Sequence, residues 1–431
     1  MTATPRHYAP VVTGDVTRVA TFYEVESEGC PCSGSPMVEV VDFDRLHEDL
    51  QGAGAQLPER CLAESVAIHA GEAEWAVEVE VYRMDRGRHV AVVRASRDGG
   101  YHDVIDALEV FYRREFAPTG YTSWADYLDD RGYVLGAFTF QLVAASDGIM
   151  RLLDRSTDDA RQSMLGSLVY RYAGRYDSLS SRVVWPEESN RGESLAVVSP
   201  FSAIIGRHQG YVENAFFLSA VLYVGARVTL LSLRRRLYEN LRRVGHLQRA
   251  EADPRLRRAA LGRVSSSVGA MEVELSANVE SYLKVESLLL SLRASDFHES
   301  LFRSARVGDE AAALAVMLER LRSGVQGELA ELASIYGARD ERRRVLASGF
   351  VGALSAVAVP LGILFGYFGM NADEVDPGTS FMDVGANTVI YGLLLVLLGA
   401  TLLLALVLAF ALRRLDRTRE ARVRELMDGG P

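Results

Sequence analysis

The chain has 431 residues, 48% hydrophobic and 24% charged, with a formal net charge of −10. That length suggests two or three structural units. The acidic balance argues against a general nucleic-acid binder, which carries a basic face, and suits attraction of cations. Three cysteines, Cys30, Cys32 and Cys61, do not make a disulfide framework. Cys30-Pro31-Cys32 could form half of a metal site, but no second close pair follows, so reduced thiols in a cytosolic domain are expected.

From the N-terminus, no basic start followed by an apolar run marks a signal peptide, so the first part is expected to stay in the cytosol. Alternating or β-branched runs at Val16–Val25, Met37–Phe43, Ala76–Tyr82 and His89–Ala95 predict strands, separated by Gly/Ser breaks. Tyr101 to Phe116 predicts a helix, and residues 134–198 read as mixed without an assignable strand order. Residues 1–205 are thus expected to form a cytosolic α/β domain. No repeat, phosphate-binding loop or catalytic-triad spacing is evident, His102-Asp103 reads as a surface pair, and no enzyme activity is expected.

Residues 206–344 read as long cytosolic helices and a stalk. The first helix is predicted from Gln209 to about Arg249. Within it, Ala215 to Leu233 is apolar apart from Arg227, and Arg234, Arg235 and Arg236 follow at once. A central arginine costs roughly 2.5–3.5 kcal/mol in a bilayer, so a buried helix is expected here instead of a third span. Asp253-Pro254 supplies an N-cap and a first helical residue. A second helix is predicted from there to about Arg306, with a packing stripe of Met271, Leu275, Asn278, Tyr282, Leu289 and Leu292. Gly308-Asp309-Glu310 is a start signal for a third. No proline interrupts it before Pro360, and carried through Phe368 it would be roughly 90 Å long. Ala311, Ala312, Ala313 and Ala315 suit close helix contacts. Asp296, Glu299, Asp309 and Glu310 could meet a neighbouring protomer or act as caps and solvated faces.

Two apolar segments close the chain, at 345–368 and 389–412, with neither lysine, arginine nor histidine from Val345 to Leu412. Each makes about 36 Å of helix, enough to cross a hydrocarbon core of about 30 Å with some tilt. Arg339, Arg342, Arg343 and Arg344 precede the first segment, and Arg413, Arg414, Arg417 and Arg419 follow the second. The loop between, 369–388, holds Asp373, Glu374, Asp376 and Asp383 and no basic residue. The positive-inside rule predicts a hairpin with both termini, including the basic tail 413–431, in the cytoplasm. Pro360 predicts a bend or a packing contact in the first span. Gly362-x-x-x-Gly366 and Gly366-x-x-Gly369 would let helices approach closely, as in an oligomer.

The run Pro360-Leu361-Gly362-Ile363-Leu364-Phe365-Gly366-Tyr367-Phe368-Gly369-Met370-Asn371 resembles the end of the first transmembrane helix in the CorA family of divalent-cation channels. The resemblance covers about residues 309 to 420. It implies an α+β cytosolic head with long stalk helices, followed by two C-terminal transmembrane helices, assembled as a homopentameric funnel in the cytoplasmic membrane. The first span would line the pore, and Gly369, Met370 and Asn371 would ring its outer mouth as the selectivity filter. The head would sense internal Mg²⁺, and no cofactor beyond the transported and regulatory ion is implied. The chemistry is consistent: Mg²⁺ dehydrates reluctantly, and a ring of Asn371 carbonyls can accept hydrogen bonds from its water shell. Asp373, Glu374 and Asp376 would concentrate cations there. The sequence departs from the family pattern at Gly362, where a threonine is usual, at Phe368, where a tyrosine is usual, and at Ala372-Asp373, where an aromatic–acidic pair is usual. Two alternatives follow: transport of Co²⁺, Ni²⁺ or Zn²⁺, or a membrane-anchored sensor whose head opens a CorA-like pore on binding a ligand or partner.

Overall fold

A computed structural model describes residues 16–27, 34–43, 57–70, 73–85, 88–98, 100–172, 174, 179–249, 254–289 and 291–370, with positions 388, 389, 392, 395, 396, 399 and 403 beyond. The chain divides into two compact units, Met1–Leu329 and Ala330–Pro431.

The first unit is built on one mixed sheet. Its strands are β1 (Val16–Glu26), β2 (Ser35–Pro36), β3 (Glu59–Ala70), β4 (Ala73–Asp85), β5 (Arg88–Asp98), β6 (Ala117–Pro118), β7 (Val134–Ala145), β8 (Leu195–Val198) and β9 (Ser202–Gly206). The order is β2-β3-β4-β5-β1-β7-β9-β8, with β6 on the free edge of β3. Every pairing is antiparallel except β7 with β9. β1 lies in the middle, held by β5 on one side and β7 on the other, and is buried on both faces. From Val19 to Tyr23 every residue is buried, whichever face it points to.

One face is covered by α2 (Tyr101–Arg113), α3 (Trp124–Asp129), α4 (Asp147–Arg155) and α5 (Asp158–Tyr170), which follow the four-residue turn α1 (Met37–Val40) in the chain. Their starts are written locally: Ser123, Ser146 and Thr157 each accept a backbone N–H from the first turn. Arg114 ends α2 in the left-handed region at φ 64°. Val19, Val104, Ile105, Leu108, Val143 and Ile149 form one core beneath this layer, and Tyr23, Phe111, Phe116 and Trp124 another.

The other face carries α6 (Gly210–Arg249). Alternation along β1 sends Phe22 to this side, where its ring meets Phe140 at 5.9 Å and Phe217 of α6 at 5.3 Å. Gly225 brings α6 down on β4, since a Cβ there would come within 2.5 Å of Met84 Cε. The opposite side of α6 is covered too. Phe216 stacks on Phe297 at 4.1 Å, and Tyr223 meets Phe302 edge-on at 5.7 Å. Both partners belong to α9 (Leu292–Ser304). The apolar stretch of α6 is therefore a core helix of this unit, as expected for Ala215 to Leu233. Gly210–Leu247 passes a length-and-composition test for a membrane crossing, yet 83% of its most apolar window is buried inside the protein.

The second predicted helix is not one rod. α7 (Pro254–Leu275) widens into a π-helical turn at Ser276–Glu280, continues as α8 (Ser281–Lys284) and tightens into a 3-10 turn at Val285–Leu288 before α9 begins. The packing stripe holds from Met271 to Leu289, all buried, and fails at Leu292, which is exposed because the chain has turned. The predicted strand Met37–Phe43 is also corrected: Met37 starts α1, and the strand beside it is the two-residue β2. The long edge strand β3 was not foreseen.

The longest described helix, α10, runs Val307–Met370, continuing through Pro360. In the first unit, Val307, Ala311, Leu314, Leu318, Leu321 and Val325 are buried at alternating spacings of four and three, a coiled-coil-like seam. Of the four alanines singled out, Ala311 is in that seam, while Ala312 and Ala313 are exposed and Ala315 is half-buried.

Candidate functional site

In the second unit, Gly369 and Met370 are helical residues of α10, which the structure describes as far as Met370. Asn371, Asp373, Glu374 and Asp376 lie outside the described residues, as do Cys30 and Cys32. Gly362 and Gly366 are exposed, and a Cβ at either would meet nothing within 4 Å. Space for a close neighbour is thus present at both positions.

The side chains between Val345 and Gly366 define the surroundings this helix requires. Phe350 is 70% exposed and Leu354 61%; Val345, Val351 and Val359 are exposed as well. At 100° per residue these five are distributed around the helix instead of forming one stripe. A helix apolar on all sides is either buried in a large core or surrounded by lipid. Beyond the loop the same pattern returns: positions 388, 389, 392, 395, 396, 399 and 403 are helical, and Val389, Leu395, Val396 and Leu403 are all exposed. Leaving a large apolar side chain in water forfeits about 1.5–3 kcal/mol. Nine such residues would forfeit about 15–25 kcal/mol, beyond the usual total stability of about 5–15 kcal/mol. Among the described residues no side chain covers them, so their shelter lies outside that set.

Ion pairs tie α10 to the rest of the first unit. Arg227 Nη1 donates to Glu310 Oε2 at 2.7 Å, and Arg234 lies 3.6 Å from the same oxygen. The arginine in the middle of the apolar stretch of α6 thus has its partner in the first turn of α10. Farther along, Glu272 of α7 pairs with Arg322 at 3.2 Å, and Arg257 of α7 pairs with Glu328. These pairs flank the buried seam of α10.

Three of the four acidic residues named as contacts or caps, Asp296, Glu299 and Glu310, are engaged within the chain. Asp296 accepts from the backbone N–H groups of Glu188 at 2.9 Å and Ser189 at 3.3 Å. Glu299 pairs with Arg303 one turn on, and Asp309 is exposed in the first turn of α10. Burial holds the carboxyls of Glu286 and Asp296 above their ordinary range, and the charge of Glu299 adds to this. Among the described residues, no three His, Cys, Asp or Glu side chains gather in metal-binding geometry. Cys61 is a free thiol on β3, pushed up in pKa by burial. Asp103 accepts from Gly100 N at the start of α2, and His102 is exposed, so that pair is a surface feature as read from the sequence.

One polar feature escaped the sequence reading. His298 is fully buried between α6, α8 and α9. Its Nδ1 lies 3.1 Å from Ser219 Oγ and its Nε2 3.0 Å from the Tyr282 carbonyl. The carbonyl can only accept, so in the neutral ring Nε2 carries the proton and Nδ1 is an acceptor, facing a Ser219 hydroxyl whose one proton has both Nδ1 and the Ala215 carbonyl, 2.9 Å away, as acceptors. Burial lowers its pKa to about 4. A histidine in a polar-looking segment, Ser295-Asp296-Phe297-His298-Glu299, gives no sequence sign of this.

Comparison of the chain with protein-family models, curated proteins and solved structures finds no match.

Proposed function

We propose that the chain is a divalent-cation channel of the cytoplasmic membrane, passing Mg²⁺ most readily. On this reading 345–368 and 389–412 span the bilayer, both termini are cytoplasmic, and the protein assembles as a homopentamer. Gly369, Met370 and Asn371 ring the outer mouth, and the carbonyl of Asn371 accepts hydrogen bonds from the hydrated ion. Asp373, Glu374 and Asp376 draw cations to the mouth. The helix from Val307 to Met370 is the element through which the head gates the pore. The observation that carries this reading is the exposure of apolar side chains from Val345 to Val359, on the same helix that holds Gly369 and Met370.

Flux of Mg²⁺ into liposomes holding the purified chain tests it. Asn371→Ala removes the acceptor, and loss of even one charge-assisted hydrogen bond is worth about tenfold or more in rate. Wild-type flux in that variant would defeat the filter assignment. Gly362, where the resembling family has threonine, favours a second reading in which Co²⁺, Ni²⁺ or Zn²⁺ is the preferred ion. Competition among the ions in the same assay separates the two. A third reading, a membrane-anchored sensor opening a CorA-like pore, predicts that a ligand or partner other than a divalent ion controls opening.

A further inference from the structure

The antiparallel pair α6–α7 carries arginines that have no ion pair among the described residues. Between Arg234 and Arg263 the sequence holds ten arginines against three carboxylates, in a chain whose net charge is −10. The pairing is fixed by Arg236 with Glu274 and by Asn240 Nδ2 donating to Ser267 Oγ at 3.0 Å. The arginines facing the core or α10 have partners: Arg234 and Arg227 share Glu310, and Arg257 holds Glu328. Toward the end of the hairpin the situation changes. Arg242, Arg243, Arg258 and Arg263 are exposed, and none has a carboxylate partner among the described residues. The first turn of α7 has no acidic residue either, so its arginines add to the positive end of the helix dipole. Clustered like charge costs folding energy and contributes no packing. Large apolar side chains are interleaved with it: Leu256 is 68% exposed, and Leu241 and Tyr238 are exposed beside Arg242.

We propose that this end of the α6–α7 hairpin is a docking surface for anionic lipid headgroups. Exposed arginines with interleaved leucines match a lipid interface, where the guanidinium groups meet phosphates and the apolar side chains enter the boundary below. A nucleic acid would favour aromatic stacking, and a long polyanion would be repelled by the rest of an acidic chain. Arg257, between these exposed arginines, is held by Glu328 of α10 and is not part of the free charge. The inference rests on the membrane reading above. It adds a lipid-sensitive contact in the head that the pore proposal does not need.

The test uses the full chain in nanodiscs of phosphatidylcholine alone or with phosphatidylglycerol, followed by hydrogen–deuterium exchange across residues 238–263. Phosphatidylglycerol is expected to slow exchange in this stretch and added salt to reverse the effect. Arg242→Glu, Arg243→Glu, Arg258→Glu and Arg263→Glu together should abolish it, each arginine being worth on the order of fivefold at low salt. Leu256→Gln, which leaves the charge in place, should weaken the slowing without removing it. Unchanged exchange in the sheet peptides verifies that each variant is folded. Equal exchange in the two lipids, or slowing that survives the charge reversal, overturns the proposal. So does slowing by an oligonucleotide, or by raised protein concentration, with none from phosphatidylglycerol. A chain that fails to enter nanodiscs defeats the hairpin reading instead. In that case phosphatidylglycerol vesicles are added to the same chain, and the same outcomes decide.

Discussion

Two helices in this chain carry apolar runs of similar length, and they meet opposite surroundings. In α6 the run lies between a sheet and a second layer of helices, and Phe216, Phe217, Val221, Tyr223 and Val224 are buried. In α10 beyond Val345, Phe350, Val351, Leu354 and Val359 are open on all sides. Their charges differ as well. Arg227 interrupts the first run and is answered by Glu310, whereas the second holds no basic residue that would need an answer. Hydropathy registers what a segment avoids. Only the packing around it says whether protein or something else provides the shelter.

The comparison can be broken most forcefully at Phe216. Truncation to alanine removes a ring stacked on Phe297, and should destabilise the head by about 3–5 kcal/mol in chemical denaturation. Phe350→Ala should leave the same transition unmoved. The reverse experiment is Leu354→Arg, expected to cost about 3 kcal/mol of membrane insertion, seen as loss of the chain from carbonate-washed membranes. Retention at the wild-type level would break the contrast.

His298 gives a smaller effect that depends on pH. Its folded pKa, about 4, is below the unfolded value of about 6.5. Between these values the unfolded chain binds more protons, so stability rises with pH. The contribution is present above pH 6.5 and is lost as pH falls toward 4, amounting to about 2 kcal/mol between pH 7 and 5. His298→Gln should flatten this part of the stability profile; an unchanged slope would show that another group is responsible. The smallest effect is expected at Glu310. Glu310→Gln leaves Arg227 with a neutral partner in a half-buried site, and a loss of about 1 kcal/mol in the same denaturation experiment is expected.

How much of this was legible in the sequence depended on where each element draws its stability. β1, β4, β5, α2 and α6 were all anticipated, because alternation, a run of apolar residues or a breaker at each end marks them. β3 was missed because it is an edge strand of half-exposed, mixed composition, with Glu64 held by Tyr127 and Arg131 from outside the strand. The break at Val285–Ser291 was missed for a different reason. Neither proline nor glycine stands there, and the turn is set by α9 folding back so that Phe297 and His298 reach α6. The seam from Val307 to Val325 is readable at its spacing of four and three, and of the four alanines only Ala311 belongs to it.

The site was legible only as chemistry. Gly369-Met370-Asn371 and the acidic residues after it are defined by sequence, and the fold adds that Gly369 and Met370 are helical and continuous with α10. By itself the sequence determined three apolar stretches, the placement of arginines around the last two, and the acidic loop between them, since these depend on residue identity alone. For the first stretch, Arg227 already led the sequence reading to expect a buried helix, and only the tertiary structure decided what covers it. Burial is a property of what packs against a segment, and the sheet, α9 and Glu310 that cover α6 come from parts of the chain far apart in sequence.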